Sequence, residues 1–157
     1  RQGFTVGQHD PDFLPDGRIM IFDNRYVPKR QQTGFRSRVI TYDPRNGRID
    51  LRYADEDFFT PACGSQQPLP NGNVLITSSY QGTLLEVAPE GEVVWKYRSV
   101  NQAPRLLTYG QFIGDLHWAH RYPEEYFTES FRAELRDGEH AEVGGQRPDG
   151  SERRETK

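Results

Sequence analysis

Short apolar runs alternate with turn-forming residues through the first hundred positions of the chain. "FLPDGRIMIF", residues 13–22, sets Leu14-Pro15-Asp16-Gly17 directly before an apolar run, and "PLPNGNVLIT", residues 68–77, does the same with Leu69-Pro70-Asn71-Gly72. Proline presets one turn dihedral, Asp or Asn closes the turn through its side chain, and Gly supplies positive φ, so each signature predicts a turn that launches a strand. Further on, "YDPRNGRIDLRY" at 42–53 matches "EVAPEGEVVWKY" at 86–97, with Gly47 over Gly91 and Pro44 over Pro89 to within one residue. Strict alternation puts Ile49, Leu51 and Tyr53 on one face of the first copy, and Val93, Trp95 and Tyr97 on the same face of the second.

The chain therefore carries a repeat, with copies over about 8–53 and 64–97. The first copy is lengthened by the polar insertion "NRYVPKRQQTGF" at 24–35. Each copy predicts an antiparallel meander of three or four short strands, close in size to a propeller blade of ~40 to 50 residues. A lone sheet of this kind cannot bury both faces; blades do so by stacking around an axis, roughly four to eight to a ring. The fold class is all-β and β-propeller-like, with two blades and part of a third in "QFIGDLHWAHRY" at 111–122. Residues 1–122 read as a partial propeller, a fragment completed by further blades or by another chain.

Beyond it, 123–137 changes character. Pro123 at a first helical position, Glu behind it, and Phe127, Phe131 and Leu135 at helical spacing predict a short amphipathic helix that ends before Gly138. Residues 138–157 hold almost no large apolar side chain and predict a disordered tail, which contains His140.

Composition narrows the function. Lys and Arg number 20 against 23 Asp and Glu, a net charge of −3 that argues against a nucleic-acid partner. No run approaches the roughly 20 apolar residues of a membrane span. "RQGFTVGQHD" has no Met, basic region or apolar core of a signal peptide. The one cysteine, Cys63, cannot form an internal disulfide, has no second Cys or nearby His for zinc, and reads as a small buried residue near a turn.

Candidate chemistry gathers around the first apolar strand, which "QHD" precedes and "DNR" follows: His9, Asp10, Asp23, Asn24 and Arg25 come together if the chain folds so that these ends converge. His9 otherwise reads as a turn histidine with one backbone hydrogen bond. Asp10, Asp12 and Asp16 fail the calcium-loop pattern, because Pro15 and Ile21 stand where Gly and Glu are needed, so Asp12 and Asp16 read as turn residues. Arg25, Lys29, Arg30, Arg36 and Arg38 form either a solvated basic loop or an anion site suited to bidentate guanidinium contacts. His117 and His120, three apart, point to opposite faces of a strand and make a poor metal pair. No metal site is expected.

"QHD" with "LPDGRIMIFDNR", then "SRV", "LPNGNVLI" and "GTLLEVAPEGEVVW", resembles the C-terminal blades of the arylsulfotransferase (aryl-sulfate sulfotransferase) family, over roughly Phe4 to Phe127. The resemblance implies a six-bladed propeller, periplasmic or extracellular, that moves a sulfuryl group from an aryl sulfate to a phenol through a transiently sulfated histidine, with no nucleotide, metal or other cofactor. By motif it places His9 on the Gln-His position, Asn24 on the Phe-Asp-Asn position and Arg38 on the Ser-Arg position. Arg25 stands where many relatives have Gly. His9 and Arg38 are then the catalytic candidates, and Asn24 and Arg25 the substrate-binding ones. The other histidines match no site motif, so His9 reads as an orienting or leaving-group residue, and the isolated chain as inactive without its further blades. The rival from another class is a non-catalytic propeller that binds a small ligand or a protein.

Overall fold

The computed structural model describes residues 5–25, 36–99, 102–103, 113–114 and 116–138. The insertion residues Lys29 and Arg30 and the tail with His140 lie outside the described residues. Two units make up the chain, 1–121 and 122–157.

The first unit is all-β and propeller-like. One four-stranded antiparallel sheet runs β1 (Gln8–Phe13), β2 (Ile19–Asp23), β3 (Arg38–Asp43), β4 (Arg48–Tyr53), and a second runs β5 (Ser65–Pro68), β6 (Val74–Ser78), β7 (Thr83–Val87), β8 (Val93–Arg98). Both are simple meanders. A two-residue ladder joins β9 (Gln102–Ala103) to β10 (Ile113–Gly114).

The repeated turns repeat atom for atom. Asp16 Oδ1 accepts from Arg18 N and Asn71 Oδ1 from Asn73 N, while Gly17 N donates to Leu14 O and Gly72 N to Leu69 O. Both glycines have φ near +85°, at +84° and +86°, which an L side chain resists.

β1 was not legible as a strand, since "QHDPDF" is polar and contains proline. It is tolerated because β1 is an edge strand, and because its register shifts between His9 and Asp12, where Asp10 takes φ +50° and Pro11 follows. Asp12, expected in a turn, is instead a β1 residue opposite Met20.

Strict alternation also fails on the outer strands. Val39 pairs with Tyr53 and Ile40 with Leu51, so Arg52 is an extra residue that moves Tyr53 to the opposite face from Ile49 and Leu51. Tyr53 is buried and Leu51 exposed. Val94 does the same in the second sheet, separating Val93, opposite Val87, from Trp95 and Tyr97, opposite Glu86 and Leu84. A bulge shifts the two-residue period by one, which is why these triplets do not share a face.

Between the sheets lies one apolar core: Met20, Phe22, Val39, Tyr53 and Phe58 against Val74, Ile76, Leu85 and Val87, with Leu14 at its margin. Fully burying side chains of this size stabilises by about 1.5–3 kcal/mol each. β1 and β2 lie against β5. There Gln66 reaches from the second sheet to Asp12 Oδ2 at 3.1 Å and to the Asp10 carbonyl. The outer strands splay around an open groove of about 270 Å³ lined by Tyr53, Phe58, Leu85, Val93 and Lys96 among others.

The far face of the second sheet receives residues 117–121 much as the first sheet receives 63–66. Asn24 donates to Cys63 O and Ser79 to His117 O; Asp12 accepts from Gln66, and Gln67 exchanges hydrogen bonds with Arg121 N and O. Arg121 also pairs with Glu86 and lies 5.7 Å from the centre of the Trp95 ring.

In the second unit the helical segment is divided. A 3₁₀ turn at Glu124–Tyr126 gives way to extended backbone at Phe127, and α1 (Glu129–Gly138) follows Thr128, whose Oγ1 accepts from Phe131 N. Among the described residues no helix is long and apolar enough to cross a membrane.

Gly64 packs closely against Phe22. At φ +93°, a Cβ built on it falls 2.6 Å from a Phe22 ring carbon, whereas Gly17 has open space. Gly64→Ala is expected to cost about 2–4 kcal/mol from backbone strain plus overpacking, and Gly17→Ala only the backbone part, about 1–2 kcal/mol, read from urea unfolding midpoints. Asp43 supplies a pH test. Hydrogen bonds from the Arg45 side chain, then from its N–H, hold its carboxyl down from 3.8 to about 2. A depressed carboxyl stabilises the fold above the unfolded value and loses that contribution as pH falls from about 3.8 towards about 2. Unfolding measured through that window should show Asp43→Asn less acid-sensitive than the parent.

Candidate functional site

The start of β1, the end of β2 and the start of β3 meet at one end of the first sheet, with Gln8 opposite Asp23 and Asp23 opposite Arg38. The hairpin thus brings "QHD" and "DNR" together.

His9 Nδ1 lies 2.6 Å from Asn24 Oδ1 and 3.1 Å from the Gly7 carbonyl. Asn24 is fully buried, and its Nδ2 donates to Thr60 O at 2.6 Å and Cys63 O at 2.8 Å. Reversing the amide would set its oxygen against two carbonyl oxygens, so the carbonyl of Asn24 faces His9. Both neighbours of Nδ1 are then acceptors. The pair of acceptors calls for a proton on Nδ1, and a ring with one proton then has its lone pair on Nε2.

Asp23, also fully buried, accepts from Val6 N at 2.9 Å and from Arg38 Nε at 2.8 Å, which fixes the plane of a guanidinium only 14% exposed. Of the basic cluster, Arg25 and Arg36 are exposed, so the solvated-loop reading fits them and not Arg38. Arg25 N donates to Val6 O and its φ is +55°, a left-handed conformation that explains why glycine suits this position.

Cys63, expected to be buried, is exposed. Its φ of +60° turns the side chain outward while its carbonyl points in at Asn24. Asp10 makes its contacts with Gln66 rather than with His9. His120 stacks on Trp118 and lies 2.9 Å from Gln67, and His117 contributes its carbonyl to Ser79. Among the described residues no three His, Cys, Asp or Glu side chains form a metal-sized cluster.

The residues that sequence reasoning missed act mainly through backbone atoms. Ser37 Oγ donates to Thr60 O at 3.0 Å and accepts from Thr60 N at 2.8 Å, anchoring the loop that leads into the second sheet. Ser37 could have been found beside Arg38 in "SRV"; Thr60 and Cys63 carry no signal in their side chains.

A family model described as arylsulfotransferase (ASST) matches residues 2–100, which span both sheets and the whole of this constellation. The chain belongs to the arylsulfotransferase family. Comparison with curated proteins and with solved structures gives no match. Family membership agrees with the sheet architecture and with sulfotransferase-type chemistry in general terms.

Arg38 and Arg25 are expected to differ sharply as parts of the fold. Arg38→Ala leaves the Asp23 carboxylate buried without its charged partner and should cost about 3–5 kcal/mol. Arg25→Gly removes an exposed side chain from a left-handed position and should change stability by less than about 1 kcal/mol. Chemical denaturation of both variants checks the contrast, and equal losses would contradict it.

Proposed function

We propose that this arylsulfotransferase-family chain contributes His9 as the acceptor of a sulfuryl group taken from an aryl sulfate and passed to a phenol, in place of the orienting or leaving-group role read from the sequence. The observation that carries the reading is the two acceptors on Nδ1, which leave Nε2 as the ring's nucleophilic atom. In the first step Nε2 attacks sulfur, the bond from sulfur to the aryl oxygen breaks, and the phenolate departs. The N-sulfo ring is cationic, and Nδ1–H keeps its hydrogen bonds to Asn24 and Gly7. In the second step the acceptor phenol attacks sulfur, the S–N bond breaks and the phenol proton leaves to solvent.

Arg38 is the candidate holder of the sulfuryl oxygens, which carry negative charge throughout, with Arg25 more peripheral. Its orientation by buried Asp23 supports that role, because a preoriented donor needs no rearrangement as charge moves. No nucleotide or metal takes part in the steps as written. Further donors would come from other blades, of this protein or of another chain, so that this segment alone is not expected to turn over. The family relationship favours a periplasmic or extracellular setting.

Full-length protein incubated with an aryl sulfate and a phenol should release the donor phenol and yield a peptide bearing one SO₃ on His9. His9→Ala should lower transfer by roughly 10²–10⁴-fold. Unchanged transfer in His9→Ala overturns the reading, as does binding of the aryl sulfate with no turnover, which favours the non-catalytic ligand-binding alternative.

A further inference from the structure

The geometry points to Asn24 as a positioning residue, set by the second sheet, that fixes the tautomer of His9; the inference rests on the proposed role of His9 and replaces the expectation that Asn24 binds substrate. A substrate ligand needs an open donor or acceptor. Asn24 is fully buried, and its amide is committed to three named partners: both N–H donors face the Thr60 and Cys63 carbonyls, and the oxygen faces His9 Nδ1.

The direction of control runs from the second sheet to the first. Thr60 and Cys63 lie in the loop that leads into β5, and that loop is itself held at both ends. Ser37 exchanges two hydrogen bonds with Thr60, Thr60 Oγ1 lies 2.8 Å from Ser78 Oγ of β6, and Gly64 N donates at 3.0 Å to Ser79 Oγ in the turn after β6. Two carbonyls aimed at one side of the Asn24 amide force its oxygen to the other side. That oxygen can only accept, so Nδ1 must donate. Removing the amide leaves Gly7 O, 3.1 Å from Nδ1, as the one remaining acceptor there among the described residues. A freely rotating histidine favours its proton on Nε2, which would block the atom needed for attack. Docking of one sheet on the next therefore sets the reactive nitrogen of a histidine on the first.

The test is the protonation pattern of the ring, which a purely structural asparagine would not control. Full-chain protein labelled with ¹⁵N-histidine is measured by long-range ¹H–¹⁵N correlation above the ring's titration, with His9 assigned by loss of its signals in His9→Gln. The expected wild-type pattern is protonated Nδ1 and bare Nε2. In Asn24→Ala the Nε2–H form should become the majority, and in Ser37→Ala, which loosens the loop while keeping the amide, a smaller shift should run the same way. Should Asn24→Ala fail to fold, the wild-type pattern and Ser37→Ala still decide. A wild-type ring protonated on Nε2, or a pattern unmoved by the variants that fold, overturns the inference.

Activity separates the two proposals. In the full-length protein Asn24→Ala should lower kcat on the order of 10²-fold, with KM for the aryl sulfate nearly unchanged. A raised KM at constant kcat would identify Asn24 as a substrate ligand after all. A wild-type Nδ1–H ring with no SO₃ transfer to His9 would defeat the sulfuryl-transfer reading and leave the lock standing.

Discussion

The face-to-face packing of two small sheets is the constraint on which the first unit depends. Neither sheet can bury its apolar side by itself, and the residues that close the gap are paired by size. Phe22 fills the space that Gly64 vacates, and Phe58 meets both Phe22 and Tyr53 edge to face at 5.6 and 5.1 Å between ring centres. A side chain at 64 or a smaller one at 22 breaks this fit from either side. The hydrophobic effect provides the drive, and the glycine provides the close approach.

The same contact organises the polar rim. The loop between the sheets carries Phe58 into the core and then offers Thr60 and Cys63 carbonyls to Asn24, three residues apart and aimed at one amide. Apolar packing thus fixes where backbone acceptors fall, and those acceptors fix a side-chain amide. The left-handed residues Arg25 and Cys63 lie in these connections, and Asp10 lies at the bulge within β1. Backbone strain gathers here because the chain must turn sharply from strand into contact, a pattern common at functional sites.

Much of the architecture was legible because it is written in local chemistry. The two Leu-Pro-(Asp/Asn)-Gly turns and the apolar runs behind them gave the repeat, the meander and the stacking. What escaped was non-local or carried by backbone. Leu51 and Trp95 sit opposite to their expected faces because a single extra residue, Arg52 or Val94, resets a period of two. β1 escaped because edge position and a bulge excuse its proline. His9, Asn24 and Arg38 were legible as types in a pattern, through the family resemblance, and the structure brings them to one end of the first sheet. The roles of Thr60 and Cys63 were not, since a carbonyl has no letter in a sequence. Cys63 itself was misread because burial statistics for cysteine say nothing of a residue at φ +60°.

Native-state hydrogen exchange in increasing denaturant addresses the interdependence of the two sheets most directly. If each sheet is stable only against the other, amides of β2 and β3 and those of β6 and β7 should open with one free energy and one denaturant dependence, merging into a single isotherm. Full protection persisting in one sheet after the other has exchanged would show that each stands by itself, and would contradict the account.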